Sequence, residues 1–117
     1  MRGVGIDLED VSRFEPILSN PALLHRMFRE EECAYIRASS HPAASAAGIY
    51  CAREALAKAI GSGLFRSLFT DAELIHDARG RPEFVFSGEL AARFCSTDFH
   101  VSISHTKAQA TAIVIWD

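Results

Sequence analysis

The stretch from residue 50 to residue 63, YCAREALAKAIGSG, constrains the fold most because nearly every residue of its helical part is small or apolar. At about 100° per residue, Ile49, Leu56 and Ile60 gather on one helical face together with alanines, which is the spacing of a stripe that faces a core. Alanine and cysteine also occupy the opposite side. The pattern therefore predicts a long helix that is buried on two sides and ends at the glycines of GSG.

Glu54 and Lys58 are the charged residues of this helix that lie roughly opposite its core stripe. On an ordinary surface helix, an i,i+4 pair of this kind is solvated and contributes about 0.3–0.5 kcal/mol. The small and apolar neighbours favour burial instead, and a buried carboxylate needs a partner because an uncompensated charge costs several kcal/mol. The partner of Glu54 is then either Lys58 or a metal ion, and the pattern leaves both interpretations open.

Composition narrows the class of protein to a compact globular domain. The chain has 117 residues, of which 49% are hydrophobic and 23% are charged, so we expect a single domain spanning residues 1–117. A net charge of −3 with scattered arginines predicts no binding of nucleic acid. Cys33, Cys51 and Cys95 are widely spaced in apolar surroundings, and no apolar run is long enough for a signal peptide or a membrane span. These features predict a cytoplasmic protein.

The segment before the long helix combines strand and helix signals. Residues 2–9, RGVGIDLE, alternate apolar residues with glycine and acidic residues, which predicts a strand whose Asp7 lies on the side opposite the core. A short helical segment is expected next. Asn20 and Pro21 are suited to start a further helix that runs to about Ala38.

After Thr70 the hydrophobic pattern changes to a period of two. AELIHD and EFVFS flank the turn ARGRP, a short helix is expected from Ser87 to Cys95, and FHVSISHT and KAQATAIVIWD predict two further strands. Because strands and helices do not alternate strictly along the chain, we expect an α+β fold in which a mostly antiparallel sheet packs against the long buried helix.

Asp7, Glu54 and the glycines at 61 and 63 are the most informative polar and turn positions. Carboxylate oxygens suit Mg²⁺, which takes one or two protein carboxylates while waters and substrate phosphates complete its coordination. Glycine N–H groups can approach phosphate oxygens because no side chain blocks them, although a glycine after a helix more often only ends it. His105 follows a predicted strand among hydroxyl residues, an arrangement that serves either a structural hydrogen bond or a grip on phosphate.

Three blocks of the sequence together resemble a known family. GIDLEDVSRF near the start, AREALAKAIGSG in the middle and HVSISHT near the end are similar, in this order, to the signature blocks of the phosphopantetheinyl transferases of the holo-[acyl-carrier-protein] synthase type. The turn DARGRP also resembles the D-x-x-G-K-P turn of that family. The similarity covers almost the whole chain, and the blocks are specific only in combination.

This resemblance implies a phosphopantetheinyl transferase-like fold and the transfer of 4′-phosphopantetheine from coenzyme A (CoA) to a serine of an apo acyl carrier protein, with release of 3′,5′-ADP. It implies that Asp7 and Glu54 hold a Mg²⁺ ion at the CoA pyrophosphate and that Lys58 lies beside the attacked phosphorus. It also implies a homotrimer with active sites between subunits. Contacts with CoA are expected from Gly61, Ser62, Gly63, His105, Thr106 and Arg53, and contacts with the carrier protein from Arg13 and Arg26.

Ile49 departs from the family pattern, because an arginine that reaches a CoA phosphate is common at this position. The loss of one charge-assisted contact costs about 1.5–3 kcal/mol unless another basic residue compensates. Arg26 and Arg53 are the candidates for this compensation. Surface ion pairs of Arg26 and Arg29 with Glu30 and Glu32 are nevertheless the favoured interpretation of these arginines.

Two other functions stay open on the sequence. One is a CoA- or carrier-binding homologue with little turnover, which the isoleucine at position 49 favours. The other is a Mg²⁺-dependent nucleotide phosphohydrolase that uses the same carboxylates with water as the nucleophile. The transferase is favoured because its expected acidic, lysine and histidine residues are all present, while the carrier's pathway and the general base stay open.

Overall fold

The computed structural model describes residues 1–61 and 70–117 of the chain. The strands in these ranges are β1 (Gly3–Asp10), β2 (Ala72–His76), β3 (Pro82–Phe86), β4 (Phe99–His105) and β5 (Gln109–Trp116). The α-helices are α1 (Glu15–Leu18), α2 (Pro21–Met27), α3 (Glu30–Ala38), α4 (Pro42–Ile60) and α5 (Gly88–Arg93), with 3₁₀ turns at Val11–Phe14 and Ser96–Asp98. Across the described ranges, every helix is too short or too polar to serve as a membrane span.

The strands form two antiparallel units. β5 lies between β1 and β4 in a three-stranded sheet, and β2 pairs with β3 in a hairpin. In the sheet, Asp7 of β1 lies opposite Ala112 of β5, which in turn lies opposite Ile103 of β4. The α+β class and the antiparallel sheet predicted from the sequence are confirmed.

Helix α4 is the central element, as its composition predicts. Leu56 is fully buried and Ile49 is 2% exposed, and alanines on both sides of the helix lie against the sheet or the shorter helices. The helix ends at Gly61, whose φ of 97° is left-handed and whose N–H donates to the carbonyl of Ala57. Glycine is the residue that adopts this conformation without steric cost, so Gly61 acts as the helix stop.

Strand β1 contacts α4 through the face that carries glycine and acidic residues, which corrects the predicted orientation of Asp7. A Cβ atom at Gly3 or Gly5 would overlap the carbonyl oxygens of α4, so only glycine lets the strand lie this close to the helix. The apolar residues of β1 point away from α4 and are exposed. A period of two shows that a strand has two different faces but not which face meets the core. The exposed fractions are 53% for Val4, 61% for Ile6 and 59% for Leu8.

The helix expected between positions 21 and 38 is divided into α2 and α3. Asn20 caps α2 as predicted, because its side-chain oxygen accepts the N–H of Leu23 at 3.2 Å. Phe28 and Arg29 have extended backbones and interrupt the helical path. The Glu32 carboxylate accepts the backbone N–H of Arg29 at 2.8 Å and so stabilises the start of α3.

Candidate active site

Asp7 lies where β1 meets α4, and its side chain is only 12% exposed. Its Oδ2 atom is buried and has no hydrogen-bond partner among the described residues. Buried carboxylate oxygens are almost always hydrogen-bonded or bound to a cation, because a desolvated charge is costly. Asp7 Oδ2 is therefore an acceptor that is available to a ligand.

Lys58 reaches back from α4 to the same point of β1. Its Nζ donates to the carbonyl oxygen of Ile6 at 2.9 Å and lies 3.5 Å from Asp7 Oδ1. Within residues 1–61 and 70–117, the ion pair that Lys58 makes is with Asp7 and not with Glu54. The Lys58 side chain is 57% exposed, so its ammonium group borders the solvent at the edge of this pair.

Glu54 is half-buried on α4, one helical turn after Tyr50. Burial raises the pKa of the Tyr50 hydroxyl, the hydrogen bond with Arg13 opposes this shift, and the negative charge of Glu54 adds to it. The Arg13 guanidinium lies 4.9 Å from the centre of the Tyr50 ring. Tyr50 thus lies between Arg13 and Glu54 and connects the two charged groups.

Glu9 is a second acidic residue on the inner face of β1, two positions after Asp7. Its Oε1 accepts a hydrogen bond from Arg13 Nη1 at 2.6 Å. Burial raises the pKa of the Glu9 carboxyl, the bond with Arg13 lowers it, and the nearby Asp7 raises it further. Glu9 and Tyr50 are not among the residues predicted from the sequence, although residues two apart on a strand and four apart on a helix share a face.

Cys51 lies beneath these acidic residues and is fully buried. Its thiol donates to the carbonyl oxygen of Ala110 at 3.4 Å. Burial, together with the charges of Asp7 and Glu9, raises the pKa of the Cys51 thiol to about 12. The thiol is therefore protonated at neutral pH and is unsuited to act as a nucleophile.

Arg53 lies on another side of α4 from Asp7 and Lys58, against its expected contact with CoA. The residue is 2% exposed, and its guanidinium is paired with Glu32 on α3. It also donates to the carbonyl oxygens of Met27 and Ala72. The ion pair of Glu32 is thus with Arg53, while its bond with Arg29 is to the backbone N–H, and this buried pairing leaves Arg53 without a role in the proposed CoA contacts.

His105 is the last residue of β4 and lies at the exposed rim of two cavities, and Thr106 follows it. His105 lines both of them, a larger one of about 530 Å³ and a smaller one of about 230 Å³. Thr106 lines the larger cavity, and its hydroxyl accepts the backbone N–H groups of Ala108 and Gln109 at the turn into β5. Ser62 and Gly63, the other expected contacts with CoA, lie outside the described residues.

The two arginines expected to meet a carrier protein have different surroundings. Arg13 is about half exposed and is held by Glu9 and by the Tyr50 ring, beside the acidic residues of β1. Arg26 is exposed near the end of α2. Arg13 is therefore the one that borders the candidate site.

A Mg²⁺ ion fits these residues through Asp7. No group of three or more His, Cys, Asp and Glu side chains is assembled for a metal in the part of the chain that the structure describes. Mg²⁺ does not require one, because it commonly takes only one or two protein carboxylates and completes its shell with water and substrate phosphates. The unpartnered oxygen of Asp7 is a suitable ligand, and half-buried Glu54 is a second carboxylate to consider.

Known proteins resemble this chain over nearly its whole length. Residues 3–114 match the family model described as the 4′-phosphopantetheinyl transferase superfamily. A holo-[acyl-carrier-protein] synthase of Streptomyces coelicolor is 43% identical over 97% of this chain and 94% of its own length.

Solved structures agree with this match. The holo-(acyl-carrier-protein) synthase of Bacillus anthracis, in complex with CoA (3′,5′-ADP), has a TM-score of 0.77 and 33% identity over 97% of this chain and 93% of that one. The enzyme of Helicobacter pylori, in complex with coenzyme A, has a TM-score of 0.81 and 25% identity over 97% and 99% of the two chains. The resemblance inferred from the three blocks is confirmed, and the chain belongs to the 4′-phosphopantetheinyl transferase superfamily, in its holo-[acyl-carrier-protein] synthase family.

Proposed function

We propose that this chain transfers the 4′-phosphopantetheine group of CoA to a serine hydroxyl of an apo acyl carrier protein and releases 3′,5′-ADP. The observation that carries this proposal is the buried, unpartnered oxygen of Asp7 beside Lys58, in a chain of this family. A relative of known structure is bound to CoA (3′,5′-ADP), which is the substrate and the nucleotide product of this reaction. In the reaction, the serine oxygen bonds to the phosphorus that carries pantetheine, and the pyrophosphate bond to 3′,5′-ADP breaks.

Charged residues of this chain would position the pyrophosphate of CoA for the reaction. Asp7, together with Glu54, would hold a Mg²⁺ ion, which when bound supplies a positive charge for the oxygens of the pyrophosphate. Lys58 is mostly exposed, and among the described residues its ammonium contacts the carbonyl oxygen of Ile6 and one oxygen of Asp7, so it can turn towards a phosphate oxygen. Phosphoryl transfer depends mainly on such charge neutralisation and alignment.

The cavities at His105 support a place for the nucleotide end of CoA. The larger cavity is lined by His41, His105 and Lys107 together with the hydroxyl residues Ser40 and Thr106. Imidazole, ammonium and hydroxyl groups are donors that suit a phosphate. On this basis we assign His105 and Thr106 to the CoA phosphates. Gly61 lies at the end of α4, which we place at the border of the site.

Exposed apolar residues on the outer face of β1 and β5 support a homo-oligomer. Ile6 lies opposite Ile113 in the sheet, and Val4 lies opposite Ile115, so these side chains share the face that turns away from α4. A continuous apolar strip on a sheet usually marks an interface, and identical subunits are the usual partners. We propose that copies of this chain associate through this strip, as a homotrimer with active sites between subunits.

The assembly is tested by sedimentation of the wild type and of Ile6→Lys. We expect the variant to sediment as a monomer, because a charge in the strip would be desolvated on association. Val85→Lys is a matched control, since Val85 is also exposed, at 44%, but lies on β3 outside the strip. Equal sedimentation of wild type and Ile6→Lys would contradict this interface.

The function is tested by incubating the chain with CoA, Mg²⁺ and a panel of apo carrier proteins. A gain in carrier mass equal to one phosphopantetheine group is the expected result. Release of 3′,5′-ADP without a modified carrier would indicate a phosphohydrolase, and binding of CoA with neither product would indicate a homologue without turnover. Calorimetry with and without EDTA adds a test of the metal, because we expect CoA to bind more weakly without Mg²⁺.

Three free cysteines also support a cytoplasmic site of action. Cys33 and Cys51 are buried and Cys95 is exposed, and none forms a disulfide. Unpaired thiols are typical of proteins in a reducing compartment. We propose that the chain acts in the cytoplasm as one domain over residues 1–117.

A further inference from the structure

The buried oxygen of Asp7 has no partner among the described residues, although two cationic side chains belong to the same group of charges. Lys58 Nζ bonds to the carbonyl oxygen of Ile6 and lies 3.5 Å from the other oxygen of Asp7. Arg13 bonds to Glu9, which in turn interacts with Asp7. A buried carboxylate oxygen normally attracts any donor within reach. The arrangement therefore needs a device that keeps Arg13 from this oxygen.

Glu9 holds one edge of the Arg13 guanidinium. The two residues are four positions apart, where β1 passes into the 3₁₀ turn Val11–Phe14, and Arg13 Nη1 donates to Glu9 Oε1 at 2.6 Å. The Glu9 side chain is 16% exposed, so most of the acceptor is shielded from water. Hydrogen bonds in which both partners are charged are among the strongest that side chains make. This bond therefore determines where the guanidinium lies.

Two aromatic rings support the same guanidinium. Its central carbon lies 4.9 Å from the centre of the Tyr50 ring and 5.6 Å from the centre of the Phe14 ring. The two rings contact each other, with their centres 5.4 Å apart, and Phe14 is fully buried. A guanidinium over aromatic rings is attracted by their negative faces. Glu9 and the two rings together define one position for Arg13, in which it makes no bond with Asp7 Oδ2.

We propose that Glu9 is a positioning residue that keeps Arg13 away from Asp7 and Glu54 and so leaves these acids available to a cation. Without Glu9 the guanidinium would lose its counter-charge. Asp7, which interacts with Glu9, and Glu54, which interacts with Tyr50, are the acids of the candidate site that could replace it. Either new ion pair would compete with a metal ion for the carboxylate. The inference rests on the proposed function in that it takes Asp7 as a ligand of Mg²⁺.

The test is the affinity for Mn²⁺, measured from the electron paramagnetic resonance signal of the free ion. Mn²⁺ takes the same carboxylate and water ligands as Mg²⁺, and the measurement involves no catalysis. We expect Glu9→Ala to bind Mn²⁺ about tenfold more weakly, because an adjacent opposite charge weakens the binding of another cation, the proton, to a carboxylate by about tenfold or more. The double variant Glu9→Ala with Arg13→Ala is expected to regain wild-type affinity, because no guanidinium is left to compete.

Two further variants separate the position of Arg13 from the simple loss of a negative charge. Glu9→Gln loses the charge, but its amide oxygen can still accept a hydrogen bond from Arg13, so we expect a smaller loss of affinity than in Glu9→Ala. Asp10→Asn is the matched control, because it removes the charge of the next residue on β1, whose carboxylate accepts from Gln109 at 3.5 Å. We expect Asp10→Asn to bind Mn²⁺ as wild type does.

Several results would overturn the proposal. A double variant as weak as Glu9→Ala would mean that Glu9 itself contributes to the cation site. Wild-type affinity in Glu9→Ala, equal losses in Glu9→Ala and Glu9→Gln, or no binding of Mn²⁺ to the wild type would also contradict it. If the Mn²⁺ affinities follow the expected order but no carrier is modified, the proposed function fails while the role of Glu9 stands. If carriers are modified and Glu9→Ala binds Mn²⁺ like the wild type, the role of Glu9 fails while the function stands.

Discussion

Arg53 and Glu54 are neighbours in the sequence but lie on different sides of α4. Each side carries a network of charged residues, and the two networks differ in how fully their polar atoms are hydrogen-bonded. On the Arg53 side, Glu32 accepts hydrogen bonds from Arg53 and from the backbone N–H groups of Arg29 and Leu74. On the other side, one buried oxygen of Asp7 has no partner among the described residues. The first network is satisfied within the chain, whereas the second leaves a buried acceptor open among the described residues.

This difference distinguishes the ion pair of Arg53 with Glu32, which stabilises the fold, from that of Lys58 with Asp7, which leaves an oxygen open to a ligand. A buried pair that is saturated with hydrogen bonds adds little net stability, yet breaking it costs a great deal because either partner alone is an uncompensated charge. A buried carboxylate that lacks a partner destabilises the fold slightly and persists where it binds something. Burial of charge by itself therefore does not point to the candidate site, whereas incomplete pairing of a buried carboxylate does.

The largest expected effect on stability is in the variant Glu32→Ala, on the side of α4 where Arg53 and Glu32 are fully paired (the saturated side). We expect the free energy of unfolding to fall by about 3–5 kcal/mol, because Arg53 would stay buried without its counter-charge. Urea denaturation followed by circular dichroism measures this loss. Replacement of both partners, as Glu32→Leu with Arg53→Met, is expected to be nearly neutral or stabilising. A loss in the double variant as large as in Glu32→Ala would mean that packing, and not charge, explains the effect.

The next effect is expected on the unsaturated side, in the variant Asp7→Asn. We expect carrier modification to slow by about 100-fold or more, because the charge that we propose to hold the metal would be worth several kcal/mol in the transition state. The free energy of unfolding should change little, since Asp7 Oδ2 makes no hydrogen bond in the described part of the chain. Asp10→Asn is the matched control, because Asp10 is exposed on the same strand. A stability loss in Asp7→Asn as large as in Glu32→Ala would remove the distinction between the two sides.

The variant Tyr50→Phe tests the same comparison between the two sides of α4, with a smaller expected effect on stability and rate. The hydroxyl interacts with Arg13 and with Glu54, so its loss is expected to cost about 0.5–1.5 kcal/mol of stability. Because this hydroxyl lies on the unsaturated side, the rate of carrier modification should fall as well. Urea denaturation and the modification assay give both values for the same variant. An unchanged rate would place Tyr50 outside the site.

The smallest effect expected is a dependence of stability on pH that comes from His76. Burial lowers the pKa of His76 in the folded chain below its ordinary value of about 6.5, so the unfolded chain binds more protons in the interval below that value. Stability is then fully present above about pH 6.5 and falls as the pH drops towards the folded pKa. Urea midpoints between pH 5 and 8 should show this decline in the wild type and a weaker decline in His76→Phe. Parallel curves for the two proteins would contradict the burial of this imidazole.

The sequence predicted the fold class, the central helix and the family because these depend on local periodicity and on three blocks that can be compared directly. It did not predict which face of β1 meets α4, since that depends on how closely two backbones approach. The helical pattern also placed Arg53 next to Glu54 without revealing its partner. Glu32 lies 21 positions earlier in the chain, and only the packing of α3 beside α4 brings it to Arg53.

The glycines of β1 affect how well the geometry of the candidate site tolerates substitutions elsewhere in the chain. At Gly3 and Gly5 the strand rests on α4 with main chain against main chain, so no side chain acts as a spacer between the two elements. The spacing between β1, which carries Asp7, and α4, which carries Glu54, is therefore set by the two backbones, and we expect substitutions among the surrounding apolar residues to change it little. A methyl group at position 5 would overlap the carbonyl oxygen of Ala55 and would force β1, with Asp7, away from α4.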